Sequence, residues 1–146
     1  MSRATRVIAI GVARRGRELL VFDAYDPVKR ERFHRPLGGA VEFGERAKEA
    51  VVRELLEETG FGIRVERRLG VLENLFVHEG SDRHEICFVF DVTFLDPAAY
   101  EHDTFEIVEV IRGEEVRLPA IWVDPDALDA PLYPEGLAEL LTGGAA

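Results

Sequence analysis

One cysteine in 146 residues leaves no partner for an internal disulfide. That removes the small disulfide-stapled scaffolds and suits a reducing compartment. Cys87 stands in the apolar run Ile86-Cys87-Phe88-Val89-Phe90, where buried packing is the expected role rather than a reactive thiol. Positive charge is scarce as well: 18 Lys and Arg face 28 Asp and Glu, a formal net charge of −10. The balance opposes long-range attraction to a phosphate backbone, so nonspecific nucleic-acid binding is excluded and no duplex DNA is expected as a partner. Any phosphate handled by this chain needs bound cations or local arginines. Long apolar runs are missing too, since Val7-Ile8-Ala9-Ile10 near the N-terminus is far too short for a signal or a membrane span. The expectation is a soluble, cytoplasmic protein with no membrane partner. What the chain does have is a core-forming composition, 47% hydrophobic with 9 Phe, 3 Tyr and 1 Trp, over a length that predicts a single domain, 1–146.

Thr5–Val12 and Glu18–Phe22 are apolar and β-branched, and the polar Ala13–Arg17 between them reads as a hairpin connection. From Asp23 to Pro36 the chain is polar and basic and predicts a loop, the one positive stretch in an acidic protein. Leu37–Gly44 follows, with paired glycines leading into a short strand. Glu45–Thr59 is rich in Ala, Leu, Glu and Arg, has no Gly or Pro, and stops at Gly60, which predicts a helix. Within it Ala47, Ala50 and Val51 form one stripe, and Val52, Leu55 and Leu56 another. Gly62–Val77 and Glu85–Leu95 predict strands joined by a turn at His78–Arg83, with weaker strands at Glu106–Ile111 and Ile121–Val123. Asp124-Pro125-Asp126, followed later by Pro134–Leu141, predicts one or two C-terminal helices, and Thr142–Ala146 a frayed tail. The order of strands and helices is that of a mixed α+β domain.

Glu54, Glu57 and Glu58 fall within one arc of the predicted helix, because offsets of three and four residues bring side chains together. A solvated acidic face is the plainer explanation, and two features argue against it. All three sit near the helix C-terminus, where the macrodipole makes each anion unfavourable by about 0.3–1 kcal/mol. Glu54 and Glu58, at i and i+4, also repel one another. A divalent cation would reverse both penalties, and oxygen ligands are what Mg²⁺ and Mn²⁺ prefer. The carboxylates outnumber the one or two that Mg²⁺ commonly takes, which points to more than one metal or to one carboxylate acting as a base. Arg53 has Glu49 four residues before it, an arrangement that predicts a helix ion pair and a structural or orienting role for the arginine.

Gly39, Glu45, Arg53-Glu54-Leu55, Glu57-Glu58 and Gly60-Phe61, with the gaps between them, resemble the signature of the Nudix hydrolase family at every fixed position over 23 contiguous residues. The flanking strands and Trp122-Val123 agree, so the resemblance extends over the chain. It implies an α/β/α sandwich in which a mixed sheet is covered by the box helix on one side and a C-terminal helix on the other. It also implies hydrolysis of a diphosphate linkage in a nucleoside diphosphate derivative, by attack of a metal-activated water on phosphorus. On this resemblance Glu54, Glu57 and Glu58 are catalytic and, with the carbonyl of Gly38, bind Mg²⁺ or Mn²⁺. Glu57 is the principal ligand and Glu58 a candidate base, while Arg53, also counted in the catalytic set, and Glu45 orient the shell. The partner is a nucleotide-like small molecule.

Two departures from the family pattern matter. Arg35-Pro36-Leu37-Gly38-Gly39 places its proline one residue farther from the glycines than in many relatives. Leu118–Ile121, before Trp122, lacks the acid that many relatives carry there. Candidates to replace it are Glu106, Glu109, Glu114, Glu115 and Glu85, the last weighed against a solvated strand end. Arg30, Arg32 and Arg35 are candidates to grip phosphate, against a solvated basic loop. Phe33, Phe76 and Tyr100 are candidates to stack on a base, with core packing favoured for each. His34, His78, His84 and His102 show no ligand spacing and receive no catalytic role. The alternative of another class is a Nudix-fold nucleotide-binding regulator without catalysis, against which the intact carboxylate set argues. An isomerase on the same fold lacks a cysteine in a catalytic setting. The substrate and a homodimer are left open.

Overall fold

A computed structural model describes residues 3–111 and 113–142. Its strands are β1 (Arg6–Arg15), β2 (Glu18–Asp26), β3 (Glu31–Ala40), β4 (Ile63–His78), β5 (Ser81–Phe94), β6 (Thr104–Ile111) and β7 (Glu114–Val123); its helices are α1 (Ala47–Thr59) and α2 (Leu137–Leu141). The strands form one sheet in the order β4-β5-β1-β3-β2-β7-β6. β1 runs parallel to β5 and the other pairings are antiparallel, so the sheet is mixed and the class α+β.

Neighbouring residues of the inner strands are buried on opposite faces, which is why those strands read as continuous apolar runs. Ala9, Ala13, Leu20 and Phe22 join the α1-side core with Leu37, Ala50, Val51 and Leu55. Ile8, Ile10, Val12, Leu19 and Val21 join the other core with Cys87, Val89 and Leu137 of α2. The sandwich implied by the family resemblance is therefore present. Cys87 is fully buried, and burial pushes its thiol up to about 12, in keeping with a packing role.

Several predicted boundaries are corrected. The basic stretch Asp23–Pro36 is not a loop: β2 continues to Asp26 and β3 starts at Glu31, leaving Pro27–Arg30 as a tight turn. The strand signal was hidden because the buried positions of this arm are His34 and Pro36 rather than aliphatics. At Pro36 the strand changes neighbours, pairing with β2 up to that residue and with β1 from Leu37 onward. Asp26, buried at the end of β2, accepts hydrogen bonds from the amides of Val28, Lys29 and Glu79, tying this turn to the β4–β5 turn.

The box helix begins at Ala47, two residues later than predicted, and its N-terminus explains why. Glu45 stays in the preceding turn and accepts from the amide of Glu42, while Glu49 accepts from the amide of Arg46 as a capping side chain. That use of Glu49 replaces the predicted Glu49–Arg53 pair. Gly60 closes the helix in the left-handed conformation, its amide donating to the carbonyl of Leu56. Ala50, Val51 and Leu55 are buried together, so the packed flank draws on both predicted stripes, and Leu56 faces solvent. Full burial of Val51 and Leu55 contributes about 1.5–3 kcal/mol each.

A 3-10 turn over Pro97–Glu101, which was not predicted, is capped by Asp96 accepting from the amide of Ala98. Of the expected C-terminal helices α2 alone forms among the described residues, shorter than predicted, while Asp124 opens a turn by accepting from the amides of Asp126 and Ala127; the expected fraying lies, from residue 143 onward, outside the described residues.

Candidate active site

Arg53 is the hub of the box. Its Nε and Nη2 donate to the two oxygens of Glu45 at 2.8 and 2.9 Å, Nη1 donates to Glu54 at 2.9 Å, and Nη2 also reaches the carbonyl of Ala40 at 3.0 Å. The hydrogen bonds that Arg53 donates to Glu45 raise the guanidinium's affinity for its proton still further, and the same bonds hold the Glu45 carboxyl down at about 2. Arg53 and Glu45 thus form a fixed bracket on which Glu54 rests. Glu57 has its side chain 60% exposed and lies 3.5 Å from Arg53 Nη1.

The paired glycines have separate steric causes. A Cβ on Gly38 would sit 2.0 Å from the carbonyl oxygen of Ala9 on β1, and its φ of +149° lies in the range glycine tolerates best. A Cβ on Gly39 would sit 2.5 Å from the carboxyl carbon of Glu54. Strand and helix therefore meet at a spot where only a hydrogen fits, which brings the β3 backbone against a box carboxylate.

Glu58 is the least comfortable acid in the chain. Both its carboxylate oxygens are buried and neither meets a hydrogen-bond donor, the neighbour within hydrogen-bonding reach being another acid, Glu109. Burial, reinforced by the negative charges of Glu54 and Glu109, pushes its pKa up to about 9, against a partial opposing pull from Arg35. Glu54 is raised too, chiefly by burial, with Arg53 pulling it down and Glu57 and Glu109 pushing it up. A dry, unpartnered carboxylate between two other acids is a site that a divalent cation fits, because the cation would satisfy the oxygens and cancel the repulsion. As the side chains stand, no three His, Cys, Asp or Glu groups among the described residues converge closely enough to hold one. Glu57 in particular leans towards Arg53.

Among the acids outside the box, Glu109 of β6 is the one whose charge acts on both Glu54 and Glu58. The signal was in the alternation, since Phe105, Ile107 and Glu109 share one strand face and the first two are buried in the α1-side core. Glu85 is neither a solvated strand end nor near the box. It is buried on the α2 face, two residues from Cys87, with Arg6 at 3.7 Å. Glu106 pairs with Arg117 at 3.0 Å, and Glu114 and Glu115 are exposed.

Arg32 is fixed by Asp23 and Asp129, Arg30 stands exposed in the β2–β3 turn, and Arg35 is half buried on β3. Tyr100 packs on Phe94 and Trp122, and its hydroxyl accepts a hydrogen bond from the amide of Phe94. Phe33 packs against His78 and Tyr133. His34 is fully buried, with Asp23 and Asp129 at 3.7 and 3.6 Å from its ring nitrogens.

A strand whose glycines admit a glutamate, followed by a helix whose arginine brackets its acids, is the arrangement the family signature encodes. The NUDIX domain profile matches residues 2–142, and the chain belongs to the Nudix hydrolase family, whose members act on diphosphate linkages. Solved structures that share the fold include a MutT Nudix hydrolase from Burkholderia pseudomallei, 22% identical over 95% of this chain and 98% of that one, with a TM-score of 0.60. An ADP-ribose pyrophosphatase from Streptococcus suis 89-1591 is 16% identical over 98% of this chain and 94% of that one, with a TM-score of 0.61. A UDP-X diphosphatase is 20% identical over 99% of this chain and 66% of that one, with a TM-score of 0.60. At these identities the likeness is one of fold. No helix among the described residues is long and apolar enough to cross a membrane.

Proposed function

We propose that this chain is a metal-dependent pyrophosphohydrolase that cleaves the diphosphate linkage of a nucleotide-like substrate. The observation that carries the reading is the buried Glu58 carboxylate, which meets no donor and has the acids Glu54 and Glu109 beside it. Without a cation such a group is a liability to folding, and with one it is a ligand. In this reading Glu54, Glu57 and Glu58, with the carbonyl of Gly38, hold Mg²⁺ or Mn²⁺, and Glu109 supplies the acid from outside the box. Bound metal neutralises phosphate oxygens and makes water a better nucleophile near neutral pH.

The chain's own groups do the rest. Arg53 and Glu45 keep Glu54 in place, so the position of that one carboxylate is set before substrate arrives. Glu58 accepts the proton of the attacking water, whose oxygen bonds to phosphorus as the bridging P–O bond breaks and the second phosphate leaves. Glu57, exposed and loosely paired with Arg53, would be free to turn to a bound cation.

The test is a hydrolysis screen over nucleoside triphosphates, nucleotide sugars and dinucleoside polyphosphates, with and without Mg²⁺ or Mn²⁺, using wild type beside Glu57→Gln. Metal-dependent cleavage that falls at least about tenfold in the variant, about 1.4 kcal/mol of barrier, is the expected result. Nucleotide binding without cleavage of any class would replace the enzyme by a nucleotide-binding regulator.

A further inference from the structure

We propose that Arg35 is the protein's direct anion contact for the substrate, taking a phosphoryl oxygen on the β3 side of the carboxylate cluster. The inference rests on the hydrolase reading above and deepens it, by naming the residue that reads the nucleotide's phosphate. The basic arm holds three arginines, and the fold treats them differently. Arg32 is spent on Asp23, at 3.0 and 3.1 Å, and on Asp129, at 3.2 Å. Arg30 is exposed in the turn with a φ of 55°. Arg35 has no carboxylate within 4 Å among the described residues, although it is half buried in a chain of net charge −10.

Its direction follows from the strand. Arg35, Leu37 and Gly39 share one face of β3, since side chains alternate. Gly39 lies under the Glu54 carboxylate and Leu37 is buried in the α1-side core, so Arg35 projects on the box-helix side, two pleats beyond the glycine. It stands over the ring of Phe22, its partner across the β2–β3 ladder, with the guanidinium carbon 5.8 Å from the ring centroid. From there its charge reaches Glu58 without forming a salt bridge.

A half-desolvated guanidinium left without an anion beside several carboxylates is unfavourable, and a flexible surface arginine would fold onto one of them. Here the ladder and the Phe22 ring hold it short of contact. A phosphoryl group entering between Arg35 and the carboxylates would complete the arginine's fork on one side while bound cations meet it on the other. The fork suits a phosphoryl group with two free oxygens better than a sugar hydroxyl, so the group read is the phosphate chain itself.

The test compares Arg35→Gln, Arg35→Lys and Arg30→Gln with wild type, measuring kcat and KM on the fastest-cleaved substrate in Mg²⁺. Calorimetric binding of the nucleoside diphosphate that wild type holds tightest gives a readout that needs no turnover. Arg35→Gln should raise both KM and Kd by at least about tenfold with kcat within about threefold. Arg35→Lys should recover part of the loss, and Arg30→Gln should match wild type. If wild type cleaves while Arg35→Gln keeps its KM and Kd, the assignment of Arg35 fails and the hydrolase reading stands. A loss confined to kcat, with the pH profile displaced, would make Arg35 a partner of Glu58 and not of substrate, and overturns the proposal. If wild type binds and does not cleave, the Kd comparison still decides Arg35. Failure of wild type to bind any nucleotide removes both readings together.

Discussion

Replacing Glu58 by Gln should stabilise the metal-free protein at neutral pH, and the size of the effect follows from its burial. The carboxyl's pKa rises from an ordinary 4.5 when unfolded to about 9 in the fold. Because the folded value is the higher one, the folded state binds the extra proton, and stability falls as pH rises from the unfolded value towards the folded one. Each pH unit inside that window costs about 1.4 kcal/mol, so by pH 7.5 the ceiling is about 4 kcal/mol. Side-chain relaxation and entry of water reduce such penalties, and about 2 kcal/mol is the working expectation. For a chain of this length that is a rise of roughly 4–8 °C in Tm for Glu58→Gln in chelator. The assay is thermal or urea unfolding of both proteins from about pH 5 to pH 8.5, in EDTA and again in Mg²⁺. Wild type in EDTA should lose stability across the range and Glu58→Gln should lack that component. Added Mg²⁺ should flatten the wild-type curve and raise the variant's by less, since the variant keeps Glu54 and Glu57 but has no charge at position 58 to neutralise. Parallel curves for the two proteins in EDTA would refute the account of Glu58 as a dry, unpartnered acid.

Other substitutions separate the elements of the site. Gly39→Ala should lower turnover by at least about tenfold with a near-normal fold, because the new methyl displaces only the Glu54 carboxylate; Gly38→Ala, which meets β1 backbone, should instead cost about 3 kcal/mol of stability in urea unfolding. Asp26 is held below the ordinary carboxylate value, first by the amide of Glu79 and then by those of Lys29 and Val28. Its contribution is present above the unfolded value and lost as pH falls through the folded one, so Asp26→Asn should weaken the fold at pH 7 and show a shallower loss below about pH 4. An unchanged acid limb would argue against that tether.

The box was legible because its signal is local. Helix period, the cap at Gly60 and acids crowded at a helix C-terminus are all properties of neighbouring residues. The loop reading of Asp23–Pro36 failed because strand patterns are recognised by aliphatic alternation, and here the inward positions are His34 and Pro36. Glu49 was assigned to Arg53 by helix spacing, yet a free amide at the helix start lay closer to hand. In the sequence Glu109 and Arg35 stand as equals among several candidates. Choosing between them needed the β6 and β3 faces to be set against α1, which only the tertiary arrangement does. Glu85, in turn, was misjudged because a strand end in sequence is an interior position once β4 and β5 run on to a turn of two residues.

The change of neighbours at Pro36 makes β3 a ruler. One strand carries Arg35 on the part laddered to β2 and Gly38 and Gly39 on the part laddered to β1, with no hinge between them. Sliding one part against the other would break hydrogen bonds on both sides. The span from the arginine to the glycines is therefore set by the pleat, at about 3.3 Å per residue. A ligand gripped at one end meets the box at a fixed remove, and its length decides which of its bonds arrives there.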